Sequence, residues 1–382
     1  MKKTLLAMTV AFAMAPVSYA ADVEMYGLID VGMSYLHVNP DIQGVDSTNK
    51  FSMENAQEFG SRWGLRGSEQ LSNGLKIGFT LESGIESDTG RLDPKQGSSR
   101  IFGREASVNV SGSFGTVWAG RLPIFGSTLG ANGLFRAIDP LFANYTTAFG
   151  SGFATASMWT RVDNALAYRT PTVSGFTGYA MYSFQNDATK EGAVESKSSS
   201  DRYGSLALRF QQGPVELVAV ADTTNWANKT GVAETQNDGF TFTFGGNYLF
   251  DNGLKVLGFA QYFDNQYLFK GRTGVSADAV KVLAKTGKDE SYGYVDGWGA
   301  SLGLHYPVMG GTAKLAVNYR DMENQFDVDF KRWSVAGAYD YPLSKRTAVY
   351  VMTGYAQEKI KSGDDSAKPS GYQLSFGMVH KF

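Results

Sequence analysis

Apolar and polar residues alternate along segments of about ten residues through most of the chain. The segment 372–382 shows the pattern, since Tyr372 and Phe376 fall on one face and Gln373 and Ser375 on the other. A period of two residues predicts a β-strand, because successive side chains of a strand point to opposite faces. We therefore expect a chain built almost entirely of strands.

Short and long connections separate these segments in turn. The short ones carry the residues of tight turns, such as Asn-Gly, and the long ones are polar. Seven short and eight long connections join sixteen predicted strands. The short connections lie at 72–74, 112–115, 171–175, 212–214, 251–253, 309–311 and 342–344. The long connections lie at 36–58, 86–101, 123–158, 187–201, 223–238, 264–295, 322–327 and 358–370.

Several predicted strands have one apolar face and one polar face. Leu315 and Val317 alternate with Lys314 and Asn318, and the polar faces of other strands carry charge. A soluble sandwich or β-helix would bury such charges in a packed core, where an unpaired charge is costly. A transmembrane barrel instead places them in a water-filled lumen and turns the apolar face to lipid. The pattern favours an all-β fold, a transmembrane antiparallel barrel of sixteen strands.

The first twenty residues predict a secretory signal peptide. Lys2 and Lys3 precede a short apolar core at 5–14 and a small-residue cleavage site at 18–20. We expect a single barrel domain over 21–382. Loss of the two lysines changes the formal charge of the chain from −2 to −4. A negative chain argues against nucleic acid as a partner.

The chain contains no cysteine, so disulfides and thiolate metal sites are excluded. No two of the three histidines, His37, His305 and His380, have metal-ligand spacing. The sequence therefore predicts no metal and no cofactor. Hydrolysis would need a histidine beside a nucleophile or a carboxylate. Since the predicted strands offer no such pair, we expect no enzyme.

The aromatic residue at the very end of the chain, Phe382, closes the last predicted strand. In a closed barrel the last strand pairs with the first, so that no strand edge meets the lipid. The chain end then cannot fray as most termini do. We expect 372–382 to pair with a first strand beginning near Val23.

Several stretches resemble the general porins of Gram-negative bacteria, most closely those of β-proteobacteria. They include MYGLIDVGMSY, SRWGLRGSEQLSNGLKIGFTLESG, FGREASVNVSGSFGTVWAGR and TRVDNALAYRTP, and they follow one another in order along nearly the whole mature chain. The resemblance implies a homotrimer in the outer membrane, in contact with lipid and lipopolysaccharide. It implies passive diffusion of ions and small hydrophilic solutes. It also implies that Phe382 is read as an assembly signal by the barrel-insertion machinery.

The same resemblance implies a third external loop that folds into the pore and narrows it. The long connection 123–158 has the length for this, although an external flap is an alternative. Members of the family often carry an acidic residue near its start, where this chain has Pro123-Ile124-Phe125-Gly126. Arg136 and Asp139 are the charged candidates within the loop, and Asp139 is its only carboxylate.

Basic residues on the wall opposite the loop would set the field at the constriction. Alternation turns Arg62 and Arg66 to the lumen, away from Trp63. Alternatively, the wall arginines pair with inward acids such as Glu24, Asp30 and Glu82. The predicted wall set is Arg62, Arg66, Arg104, Arg121 and Arg161.

A substrate-specific channel for a sugar or an organic anion is the main functional alternative. Such channels use a track of aromatic side chains, and the third loop is rich in them. These aromatics could also anchor the loop to the wall. The candidates are Phe125, Phe135, Phe142, Tyr145 and Phe149. Charge at the narrowest point outweighs net charge, so we expect a modest preference for anions.

Overall fold

The computed structural model describes residues 22–93, 100–141, 148–156, 160–227, 237–268, 272–287 and 291–382. The predicted signal peptide and residues Phe142 and Tyr145 lie outside this described part. Among the described residues, no helix is long and apolar enough to cross a bilayer.

One antiparallel sheet contains all eighteen strand segments. The first nine segments are β1 Asp22–Asn39, β2 Thr48–Asn55, β3 Arg62–Gln70, β4 Lys76–Gly84, β5 Glu105–Gly112, β6 Gly115–Pro123, β7 Arg161–Arg169, β8 Phe176–Ser183 and β9 Arg202–Gln212. The other nine are β10 Val215–Asn225, β11 Gly239–Leu249, β12 Lys255–Leu268, β13 Gly293–Val308, β14 Gly311–Asn324, β15 Val328–Pro342, β16 Thr347–Ser362, β17 Asp365–Ala367 and β18 Ser370–Lys381.

The eighteen segments form sixteen membrane-crossing strands, as predicted. β2 and β3 both pair with β1, over Val31–Val38 and Asp22–Leu28 respectively, so together they make one interrupted strand. β17 and β18 both pair with β16 and make another. β1 pairs with β18 through twelve residue pairs from Leu28 to Asn39, and this pairing closes the barrel.

The interruption between β2 and β3 corrects the predicted loop at 36–58. Only 40–47 lie outside the strands at the far end of β1, and the chain then leaves the sheet again at 56–61. Ala56 there has a φ of 59°, and the Asp30 carboxylate accepts the Glu58 and Phe59 amides at 2.9 and 2.6 Å. Asp30 thus replaces the ladder partners that these two amides lose.

The seven short connections match the predicted turns. Gly74 and Gly253 follow asparagine in two of them and have φ values of 82° and 84°. This backbone region favours glycine, because a Cβ there would crowd the neighbouring carbonyl.

The predicted lipid face is confirmed by exposure. In β11, Phe240, Phe242 and Phe244 are 40, 44 and 52% exposed, whereas Thr241 and Thr243 between them are buried. The same outward exposure is found for Trp298, Leu302, Val317 and Trp333. Apolar side chains thus surround the outside of the wall, as a barrel in lipid requires.

The long connections also contain short helices. The third, 124–160, is called L3 and contains two 3-10 turns, at Phe135–Ala137 and Ser151–Ala154. The sixth, 269–292, is called L6 and contains a 3-10 turn at Gly274–Ser276 and the helix α1, Ala277–Leu283. Both loops contribute buried apolar residues to clusters with the wall.

Barrel closure predicts a strong effect of the last residue on assembly. Phe382 exchanges two backbone hydrogen bonds of 3.1 Å with Gly27, and its ring covers Gly27 so closely that a Cβ there would lie 2.1 Å from the ring. Phe382→Ser should lower the amount of folded barrel in outer membranes severalfold, measured by unheated gels of membrane fractions. The control is Phe376→Ser, which removes an exposed phenylalanine from the same outward face of β18. Equal loss in both variants would contradict a special role for the terminal residue.

Candidate channel constriction

L3 starts at the end of β6 and contacts side chains on strands that lie far from β6 in the sheet. The Asn247 side chain in β11 donates to the Ala137 carbonyl at 2.8 Å. The Ala156 amide donates to Gln261 in β12 at 2.9 Å, and the Ala148 amide donates to Gln373 in β18 at 3.2 Å. These partners alternate with lipid-facing residues of their strands. The described parts of L3 therefore contact lumen-facing side chains.

Glycines of the wall allow this close approach. A Cβ on Gly299 in β13 would lie 2.0 Å from the Ala154 carbonyl oxygen. One on Gly354 in β16 would lie 2.3 Å from the Phe149 ring. Larger residues at these two positions would push L3 off the wall.

Three of the five aromatic candidates named from the sequence anchor L3. Phe125 packs at 5.3 Å from the Tyr179 ring, and Phe135 stacks at 6.0 Å on Phe259. Phe149 is fully buried against the wall. Side chains used in this way are not free to form a track for sugars.

Two of the predicted wall arginines, Arg62 and Arg104, lie at one carboxylate, and a third, Arg161, bonds the backbone of Arg104. Glu82 in β4 accepts from Nε of Arg104 at 2.6 Å and lies 3.6 Å from Nε of Arg62. Arg161, the first residue of β7, donates to the Arg104 carbonyl at 2.7 Å. Tyr26 donates a further hydrogen bond to Glu82 at 3.0 Å. We call Arg62, Arg104 and Arg161, with Glu82, the wall cluster.

The structure places the other two wall candidates apart from this cluster. Arg66 lies four residues beyond Arg62, roughly 13 Å along the strand, and pairs with Glu24 at 2.8 Å. Arg121 pairs with Asp163 at 2.5 Å, and Asp163 also binds Arg100. A register shift between Gly120 and Leu122 accompanies the separate position of Arg121. Pairing with acids, the alternative stated above, is found for Arg66 with Glu24, for Arg121 with Asp163, and for Arg62 and Arg104 with Glu82.

The two charged residues of L3 differ in environment. Arg136 is exposed and donates to the Thr128 carbonyl at 3.1 Å. Partial desolvation by the surrounding protein and, secondly, the like charge of Arg104 lower the pKa of its guanidinium. Asp139 is buried, accepts the Leu141 amide at 3.1 Å, and has its pKa raised by this burial to about 6.

Sequence reasoning missed a second charged group inside the barrel. Glu58, in the interruption between β2 and β3, lies 3.1 Å from Nζ of Lys314 in β14. Lys314 also pairs with Asp340 in β15. Glu58 was placed in an external loop by the polarity of its neighbours. The alternation in β14 predicts the inward position of Lys314, but no local signal links Lys314 to Glu58.

The three histidines have structural partners. His305 hydrogen-bonds the Pro140 carbonyl of L3 at 2.6 Å, His37 bonds Asn49 at 2.9 Å, and His380 bonds Thr347 at 2.9 Å. A search of the described ranges finds no group of three metal-ligating side chains.

A closed sixteen-stranded barrel with a polar, charged lumen points to an outer-membrane channel rather than an enzyme. The chain belongs to the Gram-negative porin family, whose model matches residues 6–361. It is therefore an outer-membrane porin, a water-filled channel for passive diffusion of ions and small hydrophilic solutes.

Individual relatives agree with this assignment. An outer membrane porin of Bordetella pertussis is 30% identical over 404 residues, and porin 32 of Delftia acidovorans is 29% identical over 396 residues. Both alignments cover 100% of each chain. The solved structure of an anion-selective porin from Comamonas acidovorans matches with a TM-score of 0.68 and 27% identity, covering 95% of this chain and 100% of that one.

The raised pKa of Asp139 predicts a pH-dependent ion preference. As the pH falls through about 6, the carboxylate is protonated and the pore loses a negative charge. The ratio of anion to cation permeability should therefore rise on acidification, measured as a reversal potential under a salt gradient. In Asp139→Asn the part of this rise centred near pH 6 should be missing. Asp364→Asn, in the exposed turn after β16, is the control and should keep it. Identical pH profiles for parent and Asp139→Asn would refute the assignment.

Proposed function

We propose that the wall cluster and L3 together form the constriction and give the channel a modest preference for anions. The observation that carries this proposal is the placement of Arg62 and Arg104 at the Glu82 carboxylate, with Arg161 hydrogen-bonded to the Arg104 carbonyl and the charge of Arg136 of L3 acting on the same group. This region thus contains four arginines, of which two contact Glu82, against the carboxylates of Glu82 and Glu105. The local excess of positive charge has the opposite sign to the net charge of the chain.

Local charge outweighs net charge because of screening and focusing. At about 0.15 M salt the Debye length is roughly 8 Å, so carboxylates on distant loops contribute little to the field in the pore. A narrow aqueous passage between low-dielectric walls concentrates the field of the groups that line it. The Comamonas relative is described as anion-selective, which agrees with this proposal.

The positions of the loop aromatics support a general diffusion channel better than a sugar-specific one. Phe125, Phe135 and Phe149 are buried against the wall, where a passing sugar would not meet their ring faces. The porin family and the barrel fold point to a channel rather than an enzyme.

We further propose that three copies assemble through the region of β5 and β6. The outward residues there are small or β-branched: Ala106 and Val108 in β5, and Val117 and Ala119 in β6. Elsewhere the outward face carries phenylalanine and tryptophan. A wall of small side chains lets two barrels approach closely. The rest of the outward face contacts lipid and lipopolysaccharide, and the insertion machinery recognises the terminal strand.

The proposed anion preference predicts the effect of a double substitution. Arg62→Ala with Arg161→Ala should move the reversal potential toward the cation side, because two positive charges leave the constriction while Glu82 keeps Arg104 as its partner. The measurement is a planar-bilayer recording under a salt gradient at low ionic strength, where screening is weak.

The control for this experiment removes two arginines outside the wall cluster. Arg66→Ala with Arg209→Ala breaks the ion pairs with Glu24 and Glu216 near the short turns. Its reversal potential should stay close to that of the parent. A double variant at Arg62 and Arg161 that behaves like this control would show that the constriction lies elsewhere.

The proposed trimer predicts a position-specific effect of bulk. Val108→Trp should shift unheated, detergent-purified protein from trimer to monomer mass in light scattering, because the larger ring keeps the small-residue faces apart. Leu302→Trp, on the outward face of β13, should leave the trimer intact. A parent protein with the mass of one chain would exclude the trimer altogether.

A further inference from the structure

Three charged residues form one row across neighbouring strands on the lumen side. Arg320 in β14 is directly opposite Arg332 in β15, and Arg332 is directly opposite Glu358 in β16. All three are buried, with exposures of 1, 2 and 0%. This row lies on β14–β16, whereas the wall cluster lies on β3, β4 and β7 and the residue preceding β5, so the two groups are separate.

L3 and L6 cover the row. Tyr292 of L6 donates to Glu358 at 2.6 Å, and Arg332 donates to the Ala148 carbonyl of L3 at 3.2 Å. Arg272 of L6 reaches the Gly152 carbonyl of L3 at 2.8 Å and brings a further positive charge to the same region. Both loops therefore form hydrogen bonds to the wall at this row.

Aromatic rings cover the flat faces of the two buried guanidinium groups. The Phe153 ring centre lies 4.7 Å from the guanidinium carbon of Arg332, and the Tyr292 ring centre lies 5.0 Å from that of Arg320. With the faces covered, any further partner has to approach the guanidinium edges, where the N–H groups point.

Those edges carry unused donors. Arg320 bonds Glu358 through Nη2 at 2.8 Å, and Arg332 bonds L3 through Nη2. Among the described residues, Nε and Nη1 of both arginines are buried and have no hydrogen-bond partner. A buried donor without a partner is costly, and more so on a charged group.

Among the residues that the structure describes, the charges in the row do not balance. Two buried guanidinium groups face one buried carboxylate, and Arg272 adds to the excess. Like charges directly opposite on neighbouring strands also repel each other. Buried charges in proteins are paired or neutralised, because desolvation without a counter-charge is strongly unfavourable. A partner suited to these donors is thus one that has negative charge and accepts N–H bonds.

We propose that a halide ion, such as chloride, binds between the guanidinium edges of Arg320 and Arg332 and holds L3 and L6 on the wall. A monoatomic anion accepts hydrogen bonds from any direction, so it suits donors from two side chains. The site is covered by both loops and is not part of the diffusion path. The bound anion fixes the conformation of L3. This proposal does not depend on whether the channel prefers anions or cations.

Bromide is the probe, because its anomalous scattering distinguishes it from water. Crystals of the full-length mature protein grown in sodium bromide should show an anomalous peak within hydrogen-bond distance of Nη1 of Arg320 and Nη1 of Arg332. In crystals of Arg332→Gln this peak should be lost. Density for water only, or no density, at this place in the parent would overturn the proposal.

A solution measurement checks that binding occurs outside the crystal. The temperature at which the parent loses its β-sheet circular dichroism should rise with halide concentration, at constant ionic strength balanced with sodium gluconate. The rise should be lost in Arg332→Gln and kept in Arg209→Gln, the matched control near a short turn. An equal rise in all three proteins, or none in the parent, would reduce any bromide peak to binding at crystal concentration only and would overturn the proposal. If Arg332→Gln does not fold, Arg332→Lys takes its place, since it keeps the charge but loses most of the donors.

Discussion

The structure depends on one constraint, the pairing of the last strand with the first. In lipid no water is present to satisfy a backbone N–H or carbonyl, so a sheet that crosses the membrane has to be closed. The twelve residue pairs between β1 and β18 meet this requirement. The Phe382 ring over Gly27 fixes the end of the ladder at the last residue. Every other feature of the channel is built on the inside or the outside of this closed wall.

Closure creates a lumen, and the lumen is partly filled. L3 is fastened at intervals to β11, β12, β13, β15 and β18 by hydrogen bonds and by aromatic rings that pack where the wall carries glycine. L6 lies over the row formed by Arg320, Arg332 and Glu358. The loops thus occupy the side of the lumen formed by the later strands, and the wall cluster lies on the side formed by the early strands. In our proposal, the basic passage beside the packed loop makes ion selectivity a local property of the lumen.

Sequence reasoning predicted what depends on local periodicity. The strand number, the alternation of short and long connections and the lipid face of β11 follow from a two-residue period that each segment carries in itself. Pairing partners do not follow in this way. Asn247 bonds a residue of L3 that is 110 positions earlier in the chain, and Glu58 pairs with Lys314 across 256 positions. Such contacts are set by register and loop path, which no single segment encodes.

The sequence predictions also differed from the structure where the ladder of paired strands is irregular. The interruption at 56–61 has no apolar period to mark it, and it is stabilised by Asp30, whose role is visible only in three dimensions. Arg121 lies beside a register shift, so alternation counted from its strand does not give its partner, Asp163. Arg62 lies on a regular segment, and the prediction of its lumen-facing direction agrees with its contact to Glu82.

The most direct test of the central claim is the reversal potential of the parent channel in a planar bilayer, under a potassium chloride gradient at low ionic strength. If the arginines around Glu82 set the field at the narrowest point, the sign of this potential is that of an anion-preferring pore, and its size falls as salt is raised and screening increases. A potential with the sign of a cation-preferring pore at low salt would contradict the account.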